Sequence, residues 1–268
     1  MQDAFSRVDL EGVTEEIDCE RYADGEWVKD SVNVPSEKEL VVHVNHQELV
    51  TILCTPIKLN YLVLGFLYGE GIISAVGDVL MMRVCKEDPV ADVRLKHSEF
   101  QVPTQRTITP GCGGGTMFKT EGQKVDSDLT VTPSEIFELM KQFQENTELS
   151  KLSGGVHASA LTDNEAPLVI AEDIGRHNTL DRIQGECLMR GIPTGDRLLL
   201  TTGRISSEML LKAAKLGSPV IVSRHSPTEV AVSLARELGI TLIGHARGKR
   251  LLVYSHQERI ERSTRDYG

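Results

Sequence analysis

Residues 197–244 read RLLLTTGRISSEMLLKAAKLGSPVIVSRHSPTEVAVSLARELGITLIG. Short apolar runs alternate there with segments of helical period, and a glycine follows each of the two helical segments. The pattern predicts a strand at Arg197–Thr202, a helix at Ser207–Leu216, a strand at Val220–Ser223, a helix at Thr228–Leu238 and a strand at Thr241–Gly244. Such a β-α-β-α-β run is typical of a parallel sheet with right-handed crossovers.

The carboxyl ends of these strands are the predicted place for a ligand. On parallel sheets, ligands bind beyond the carboxyl ends, where helix N-termini can hold phosphate. The segment Gly203–Ser207 follows the first strand. The run His245-Ala246-Arg247-Gly248-Lys249-Arg250 follows the last strand, and its cations and glycine suit a polyphosphate. A solvated basic loop is the alternative reading of that run.

Upstream of this run, the sequence predicts two helices and a pair of strands. Thr132-Pro133-Ser134-Glu135 is a capping box with proline at the first helical position, and it opens the first helix. Strands are predicted at Ser153–Leu161 and Leu168–Ala171. The second helix is predicted between Asp173, a candidate cap, and Gly191.

The first half of the chain is predicted to be β-rich. Residues 1–35 are polar and are expected to be irregular. The elements predicted after them are strands at Glu39–Asn45 and Leu49–Cys54 that form a hairpin, a helix from Thr55-Pro56 to Gly69, and strands at Val79–Val84 and Val90–Leu95.

These elements together predict an α/β protein with a smaller β-rich N-terminal part. We expect a boundary near residue 130. Residues 1–130 would form the β-rich subdomain, and residues 131–268 would form the α/β domain that carries the basic run.

Composition excludes several classes of partner. The formal net charge is −10, from 29 basic against 39 acidic residues, so nucleic acid and anionic membrane surfaces are poor partners. Aromatic residues make up 4% of the chain, too few for base-stacking platforms. There is no signal-type segment and no apolar run of about 18 residues, so we expect a cytoplasmic protein.

The cysteines predict neither disulfides nor a structural metal. They are scattered, with no C-x-x-C pair and no Cys/His spacing of the zinc-site type. Most of them lie in apolar or helical settings and are expected to be small core residues. These are Cys19, Cys54, Cys85 and Cys187.

Cys112 differs from the other cysteines because it lies in a run of glycine, Pro110-Gly111-Cys112-Gly113-Gly114-Gly115-Thr116. Glycines keep bulky side chains away, so a second molecule can approach the sulfur closely. Backbone N–H groups in such a turn can also favour the thiolate. The run therefore predicts a nucleophilic thiol. A mobile connector with an incidental cysteine is the alternative.

Two histidines are candidates for proton transfer at a sulfur centre. His157 lies in a predicted strand, and His177 ends the polar run Glu172–His177 at a strand-to-helix junction. Satisfied structural histidines are the alternative. For Asp173, in the same run, complementation of the helix dipole is the structural alternative.

A set of motifs, in this order, resembles the FdhD family over about residues 39–260. They are Leu64-Gly65-Phe66 with Gly69-Glu70-Gly71-Ile72-Ile73, the Cys112 run, Gly155-Val156-His157-Ala158, Glu172-Asp173-Ile174-Gly175-Arg176-His177 with Leu180-Asp181, Thr202-Gly203-Arg204, and Val253-Tyr254-Ser255-His256.

The resemblance implies a function that the spacing of residues does not. Members of the family are sulfurtransferase accessory proteins needed for formate dehydrogenase activity. They take persulfide sulfur from a cysteine desulfurase and pass it to the molybdenum cofactor in its bis-molybdopterin guanine dinucleotide form, which is bound as a substrate. The resemblance also implies a cytidine-deaminase-like fold, a cytoplasmic location and a homodimer.

The resemblance further assigns roles to individual residues. Cys112 falls on the persulfide-bearing cysteine, and His245–Arg250 falls on the stretch that binds the cofactor through its guanine nucleotide. Many members have C-x-x-C in the cysteine run, whereas this chain has Gly115 at the second position. A second thiol in the run therefore cannot resolve the persulfide. Either Cys112 works alone or sulfur transfer is impaired in this member.

Two rival functions follow from these observations. A chaperone could hold the molybdenum cofactor and dock on the dehydrogenase without moving sulfur, and the missing second cysteine favours it.

A hydrolytic deaminase would need the motif H-x-E followed by P-C-x-x-C. The chain has His157-Ala158-Ser159 with no glutamate, and its one glycine-flanked cysteine comes earlier, which counts against deamination.

Overall fold

The computed structural model describes residues 11–85, 89–97, 122–163 and 165–262, together with the backbone of 106–108 and 116–118. The strands are Thr14–Ala23 (β1), Glu26–Pro35 (β2), Lys38–Val44 (β3), Gln47–Cys54 (β4), Val79–Val84 (β5), Val90–Leu95 (β6), Arg106–Ile108 (β7), Thr116–Phe118 (β8), His157–Thr162 (β9), Pro167–Asp173 (β10), Leu198–Thr201 (β11), Val220–Ser223 (β12), Thr241–Arg247 (β13) and Arg250–Val253 (β14). The α-helices are Leu59–Gly69 (α1), Pro133–Glu145 (α2), Glu148–Ser153 (α3), Arg176–Arg190 (α4), Ser207–Leu216 (α5) and Glu229–Leu238 (α6).

The C-terminal half is built on a mixed sheet of order β10-β9-β11-β12-β13-β14. β11, β12 and β13 are parallel, with α5 and α6 as the crossovers, and the remaining pairs are antiparallel. The predicted β-α-β-α-β run and the mixed α/β class are therefore confirmed.

Side chains alternate between the two faces of this sheet. Leu199 points toward the cluster formed with α4, α5 and α6, whereas Leu198 and Leu200 point toward α2 on the opposite face. This alternation is the period of two that an extended strand imposes. β11 and β12 are consequently buried on both faces, as expected for parallel strands linked by helical crossovers.

The N-terminal half has its own sheet, of order β4-β3-β6-β5. β3 and β4 form the predicted hairpin, and β3 pairs with β6 in parallel. α1 covers this sheet with Leu62, Val63 and Phe66, which join a separate apolar cluster. The two predicted strands that became β5 and β6 have the predicted bounds. The proposed division near residue 130 stays a prediction.

α1 and α4 cross where each has a glycine. A Cβ atom on Gly65 would lie 1.7 Å from the carbonyl oxygen of Asp181, and one on Gly185 would lie 1.9 Å from that of Tyr61. No real side chain fits at such distances, so glycine at both positions lets the helix backbones touch. This contact joins the N-terminal half to the sheet of the C-terminal half.

Two sequence-based predictions in the first half are wrong. Within residues 1–35, the structure has the long antiparallel hairpin β1–β2 rather than irregular chain. Most of its side chains are polar or exposed, so the segment lacks the regular alternation of apolar residues that marks a half-buried strand. The helix predicted from Thr55-Pro56 begins at Leu59, after Lys58 in the left-handed region with φ 44°. Thr55 is fully buried and bonds to a distant segment, so it does not cap α1.

The predicted strand Ser153–Leu161 starts too early. α3 ends at Ser153, Gly154 follows it with φ 68°, and the strand begins at His157. Small residues before His157 have little helical or strand preference, so the local pattern did not fix this boundary. Among the residues that the structure describes, no helix is long and apolar enough to cross a membrane.

Candidate functional site

Cys112 lies in residues 109–115, outside the described part of the chain, so its predicted role stays a prediction. The strands on either side, β7 and β8, pair antiparallel, with Ile108 opposite Thr116.

The other cysteines divide into buried and accessible thiols. Burial raises the pKa of Cys54 to about 12 and that of Cys187 to about 12, which makes both poor nucleophiles at neutral pH. Their predicted place in the core is confirmed. For Cys19 and Cys85 it is wrong, because Cys19 is half-buried on β1 and Cys85 is exposed after β5.

The predicted cofactor-binding run His245–Arg250 forms the hairpin between β13 and β14. It was expected to be a loop after a strand that ends at Gly244, but β13 continues to Arg247. Gly248 has φ 60° and turns the chain with Lys249, so that Arg247 pairs with Arg250. Pairing with β14 extends the strand beyond its parallel contact with β12.

Alternation along β13 sorts these residues into two environments. Ala246 is 2% exposed and packs into the cluster beneath α2. His245, Arg247, Gly248, Lys249 and Arg250 are exposed. Cationic side chains therefore face solvent on the hairpin, whereas Ala246 is buried in the core.

The exposed residues of β13 contact the loop after β12. The His245 ring lies 2.8 Å from the Ser226 hydroxyl. Arg247 donates through Nε to the Arg224 carbonyl at 2.9 Å, and its Nη2 lies 3.2 Å from Nε2 of His225. The basic hairpin is thus joined to the carboxyl end of the neighbouring parallel strand.

The two candidate histidines, His157 and His177, converge with Arg176 on the same edge of the sheet. His157 starts β9 opposite Asp173 at the end of β10, and Arg176 opens α4 directly after β10. Both flank Gly203 after β11: a Cβ there would lie 3.2 Å from Cβ of Arg176 and 3.4 Å from Nδ1 of His157. Residues distant in sequence therefore meet beyond the carboxyl ends of the strands.

Adjoining side chains complete what we call the carboxyl-edge cluster, which comprises His157, Arg176, His177, Arg224, His225 and Arg247. Arg224 and His225 were not predicted as site residues, although both directly follow β12, as Gly203 closely follows β11. Ser223 links the two loops, because its hydroxyl donates to the Gly203 carbonyl at 2.7 Å and accepts from the His225 N–H at 2.9 Å.

Burial and neighbouring positive charges disfavour a further positive charge at this edge. Burial and the charge on Arg176 lower the pKa of His157 below its ordinary value. His225 and His177 act in the same direction, and the Asp173 carboxylate opposes them. Lowered pKa values indicate surroundings that disfavour added positive charge. These surroundings therefore favour the neutral imidazole of His157 over the imidazolium.

His225 responds to the same surroundings. Desolvation and the charge on Arg247 lower its pKa, and Arg224 and His245 add to the effect. A guanidinium can only donate hydrogen bonds, so Arg247 requires an unprotonated ring nitrogen on His225. His177 has an acidic partner, since its Nε2 lies 3.0 Å from Oε2 of Glu208.

Helix N-termini also face this edge. α5 and α6 carry side-chain caps, in which Ser206 accepts from the Met209 N–H and Thr228 accepts from the Ala231 N–H. α4 begins after Gly175 with no side-chain cap and no acid in its first turn. The partial positive charge of that helix end thus adds to the side chains of the cluster.

A buried ion pair lies directly beneath the cluster. Arg182, on α4, is 2% exposed and lies 2.5 Å from the fully buried carboxylate of Asp173. Arg182 also donates to the Thr55 carbonyl at 2.6 Å, and the Thr55 N–H donates to Asp173 at 3.2 Å. The prediction that Asp173 caps the helix is wrong in detail, since the N-cap is Gly175. Asp173 fixes the start of α4 and the end of β4 instead.

A shallow cleft lies on the other side of the β13–β14 hairpin. Its volume is about 370 Å³, and residues of α2 and α3 line it together with Ala246 and Gly248. Within the described ranges, no group of three or more His, Cys, Asp or Glu side chains is placed to hold a metal ion.

Comparisons with known proteins identify similar chains. Residues 35–261 match the model of the FdhD/NarQ family. A protein named sulfur carrier protein FdhD from Bacillus pumilus is 40% identical over 249 residues, which cover 90% of this chain and 95% of the relative. Its namesake from Bacillus subtilis is 39% identical over 257 residues, which cover 92% and 98%. The crystal structure of a candidate formate dehydrogenase accessory protein from Desulfotalea psychrophila superposes with a TM-score of 0.79 at 25% identity, covering 93% of this chain and 100% of that one.

Proposed function

The chain belongs to the FdhD/NarQ family, and from this membership we propose that it carries sulfur for a formate dehydrogenase. Cys112 accepts the sulfur from the persulfide of a cysteine desulfurase. The acceptor is the molybdenum cofactor in its bis-molybdopterin guanine dinucleotide form, bound as a substrate at His245–Arg250 before insertion into the dehydrogenase. The names of the relatives support the sulfur-carrier role.

The loading step follows from thiol chemistry. The thiolate of Cys112 attacks the outer sulfur of the desulfurase persulfide, one S–S bond forms as another breaks, and the desulfurase thiolate leaves. The cysteines that the structure does describe are poorer candidates for this step. Cys54 and Cys187 are buried with raised pKa values, and Cys19 and Cys85 have no glycine run around them.

The basic hairpin carries the proposal for the cofactor. The hairpin exposes three cationic side chains within four residues, those of Arg247, Lys249 and Arg250. The protein as a whole has a net charge of −10, so this turn is a local basic patch on an acidic protein. A dinucleotide brings two phosphates, and exposed guanidinium and ammonium groups bind phosphate through charge-assisted hydrogen bonds. The hairpin lies at the carboxyl ends of parallel strands, where ligands bind in α/β proteins.

Mass spectrometry after incubation with a desulfurase and cysteine tests the proposal. We expect a mass increase of one sulfur on the peptide that contains Cys112, and none on that peptide in Cys112→Ser. A label on Cys85 in place of Cys112, or no label on any cysteine, would contradict it.

For the cofactor, Arg250→Ala should weaken GDP binding, measured by calorimetry, while the loading of Cys112 stays intact. Unchanged GDP affinity would refute the role of the hairpin.

A cofactor chaperone without sulfur transfer is the second candidate, because Gly115 replaces the second cysteine that many family members have. Complementation separates the two functions. Cys112→Ala should fail to restore formate dehydrogenase activity in a deletion strain if the chain transfers sulfur, and it should succeed if the chain only holds the cofactor.

The remaining parts of the proposal follow from the family resemblance. We include a cytoplasmic location, a homodimer, and a cytidine-deaminase-like layering of the C-terminal domain. Sedimentation of the purified protein tests the homodimer, because a single species at the monomer mass would exclude it.

A further inference from the structure

Strands β1 and β2 form a two-stranded ribbon of their own, which we call the arm and which comprises residues 14–35. Within the described residues, neither strand pairs with a third, so no neighbouring strand covers the outer edges of the ribbon. Most of its side chains are exposed. An isolated two-stranded ribbon is only marginally stable in water, and uncovered edges favour pairing with another chain. The arm is therefore suited to contact with a partner.

Side-chain contacts between the two strands hold the arm in one shape. Arg21 donates to the Asp30 carboxylate at 2.7 Å. On the opposite face of the ribbon, the rings of Tyr22 and Trp27 pack with their centroids 5.1 Å apart. A surface that is ordered before contact loses less conformational entropy when it binds.

The strand register places acids and aromatic rings on one face of the arm. Glu16, Asp18 and Glu20 alternate along β1 and so point to the same side. Tyr22 continues this row and lies opposite Trp27, next to the turn that joins the strands. All five side chains are exposed, and Trp27, the one tryptophan of the chain, is 69% exposed. We call this surface the acid–aromatic face.

The charge of the arm selects the kind of partner. Residues 14–35 contain seven acids, at positions 15, 16, 18, 20, 24, 26 and 30, against two bases, at positions 21 and 29. On the acid–aromatic face, three acids accompany one base, Lys29. A second copy of the same face, a nucleic acid or an anionic lipid surface would therefore bring like charge against like. A segment that carries several Lys or Arg residues is complementary.

The aromatic pair and the spacing of the acids agree with such a segment. Guanidinium and ammonium groups bind over the faces of tryptophan and tyrosine rings. In an extended peptide, the side chains of one face repeat at every second residue, about 7 Å apart. Glu16, Asp18 and Glu20 have the same spacing along β1, so alternate cations of an extended peptide can each meet an acid.

The size of the face sets the strength of the contact. Ten residues along each strand and two strands across give a surface of about 33 Å by 10 Å. Contact over that surface buries less than the roughly 1,200 Å² at which stable interfaces begin. The face therefore suits a transient partner rather than a lasting dimer.

We propose that the acid–aromatic face of the arm is a docking surface for an extended segment of a partner protein that carries Lys or Arg at alternate positions. The cations of the segment lie against Glu16, Asp18 and Glu20, and the last of them packs over Trp27. This docking role is independent of the roles proposed for Cys112 and the basic hairpin.

Fluorescence of Trp27 reports on this face directly, because the chain has no other tryptophan. The full chain is titrated with a synthetic ten-residue peptide of alternating arginine and threonine, and separately with one of alternating glutamate and threonine. We expect a saturable change in fluorescence with the arginine peptide alone. Its affinity should fall as the salt concentration rises, because exposed charges are screened.

A charge-reversed double variant, Asp18→Lys with Glu20→Lys, should bind the arginine peptide at least about tenfold more weakly, since two surface ion pairs are lost and replaced by repulsion. The matched control is Glu165→Lys with Glu237→Lys, which changes the net charge equally at exposed positions outside the arm and should leave the affinity near that of the wild type. Trp27→Ala, measured by calorimetry, should also weaken binding.

Three results would overturn the docking surface. They are equal binding of the two peptides, no saturation at millimolar arginine peptide, and equal affinity in the arm variant and its control. Sedimentation tests the remaining occupant, a second copy of this chain. A wild-type dimer that becomes a monomer in Trp27→Ala would show that the arm joins two copies, and the assignment to a basic segment would be wrong.

Discussion

The Asp173→Asn substitution tests whether the buried ion pair beneath the carboxyl-edge cluster stabilises the fold. Asp173 is 0% exposed and Arg182 is 2% exposed. Asparagine keeps the shape of the side chain and the oxygen that accepts from the Gly175 N–H, but it removes the negative charge. Loss of one partner leaves a buried charge uncompensated, which costs about 3–5 kcal/mol. We expect the free energy of unfolding to fall by that amount.

Urea denaturation followed by circular dichroism measures this loss, provided that the slope with urea is unchanged. The matched control is Asp30→Asn in the exposed pair of Asp30 with Arg21, whose side chains are 34% and 61% exposed. It should leave stability unchanged within error, because exposed pairs contribute little. In the double variant with Arg182→Met, part of the loss should return, because no charge is left buried. A loss below about 1 kcal/mol in Asp173→Asn would refute the reasoning.

Further expectations concern packing, reactivity and titration. Gly185→Ala should lower the free energy of unfolding, measured in urea, by at least about 2 kcal/mol, because the new Cβ would clash with the backbone of α1. The control is Gly195→Ala, which has open space around it and should leave stability unchanged. Equal losses in the two variants would contradict the close helix contact. Iodoacetamide should label Cys85 in the folded protein and Cys187 only after unfolding, as peptide mapping will reveal, and early labelling of Cys187 would show that it is not buried. The NMR titration midpoint of His157 should lie below the ordinary histidine value of about 6.5. The unfolded chain then binds the proton more tightly than the folded protein does, so the free energy of unfolding should decrease as the pH falls from about 6.5 to the folded-state midpoint. A midpoint above 6.5 would contradict the assigned surroundings of His157.

The elements that the sequence predicts best are those defined by local chemistry. α5 and β12 have the predicted bounds, because a serine cap precedes α5, Gly217 ends it in the left-handed region, and β12 is a short run of β-branched residues. The convergence of Gly203 with the basic run on one edge also follows from local patterns, since parallel strands place their carboxyl ends together. The bounds of α5 and β12 depend on residues within a few positions of one another, and the shared edge follows from the parallel order of the strands.

Features that depend on distant contacts were not predictable. Thr55-Pro56 has the pattern of a helix start, yet Thr55 is bound to Asp173 and Ile174, more than a hundred positions away. The β13–β14 hairpin was missed because the second half of β13 has a different neighbour from the first. Residues 241–243 pair in parallel with β12, whereas residues 243–247 pair antiparallel with β14. Only the tertiary structure joins His225 to Arg247 across the sheet edge, so the spacing of neither residue revealed the cluster.

α4 connects the carboxyl-edge cluster to the N-terminal half of the chain. Its first turn holds Arg176 and His177, its next turns hold Arg182 against Thr55, and its middle touches α1 through Gly185. Helix backbones in direct contact cannot slide without a clash, because interiors are close-packed. The contact with α1 therefore fixes the position of α4 along its own axis, and with it the position of Arg176 and His177 at the sheet edge. This coupling explains why the glycine contact and the buried ion pair, which touch no ligand, belong to the same structural unit as the cluster.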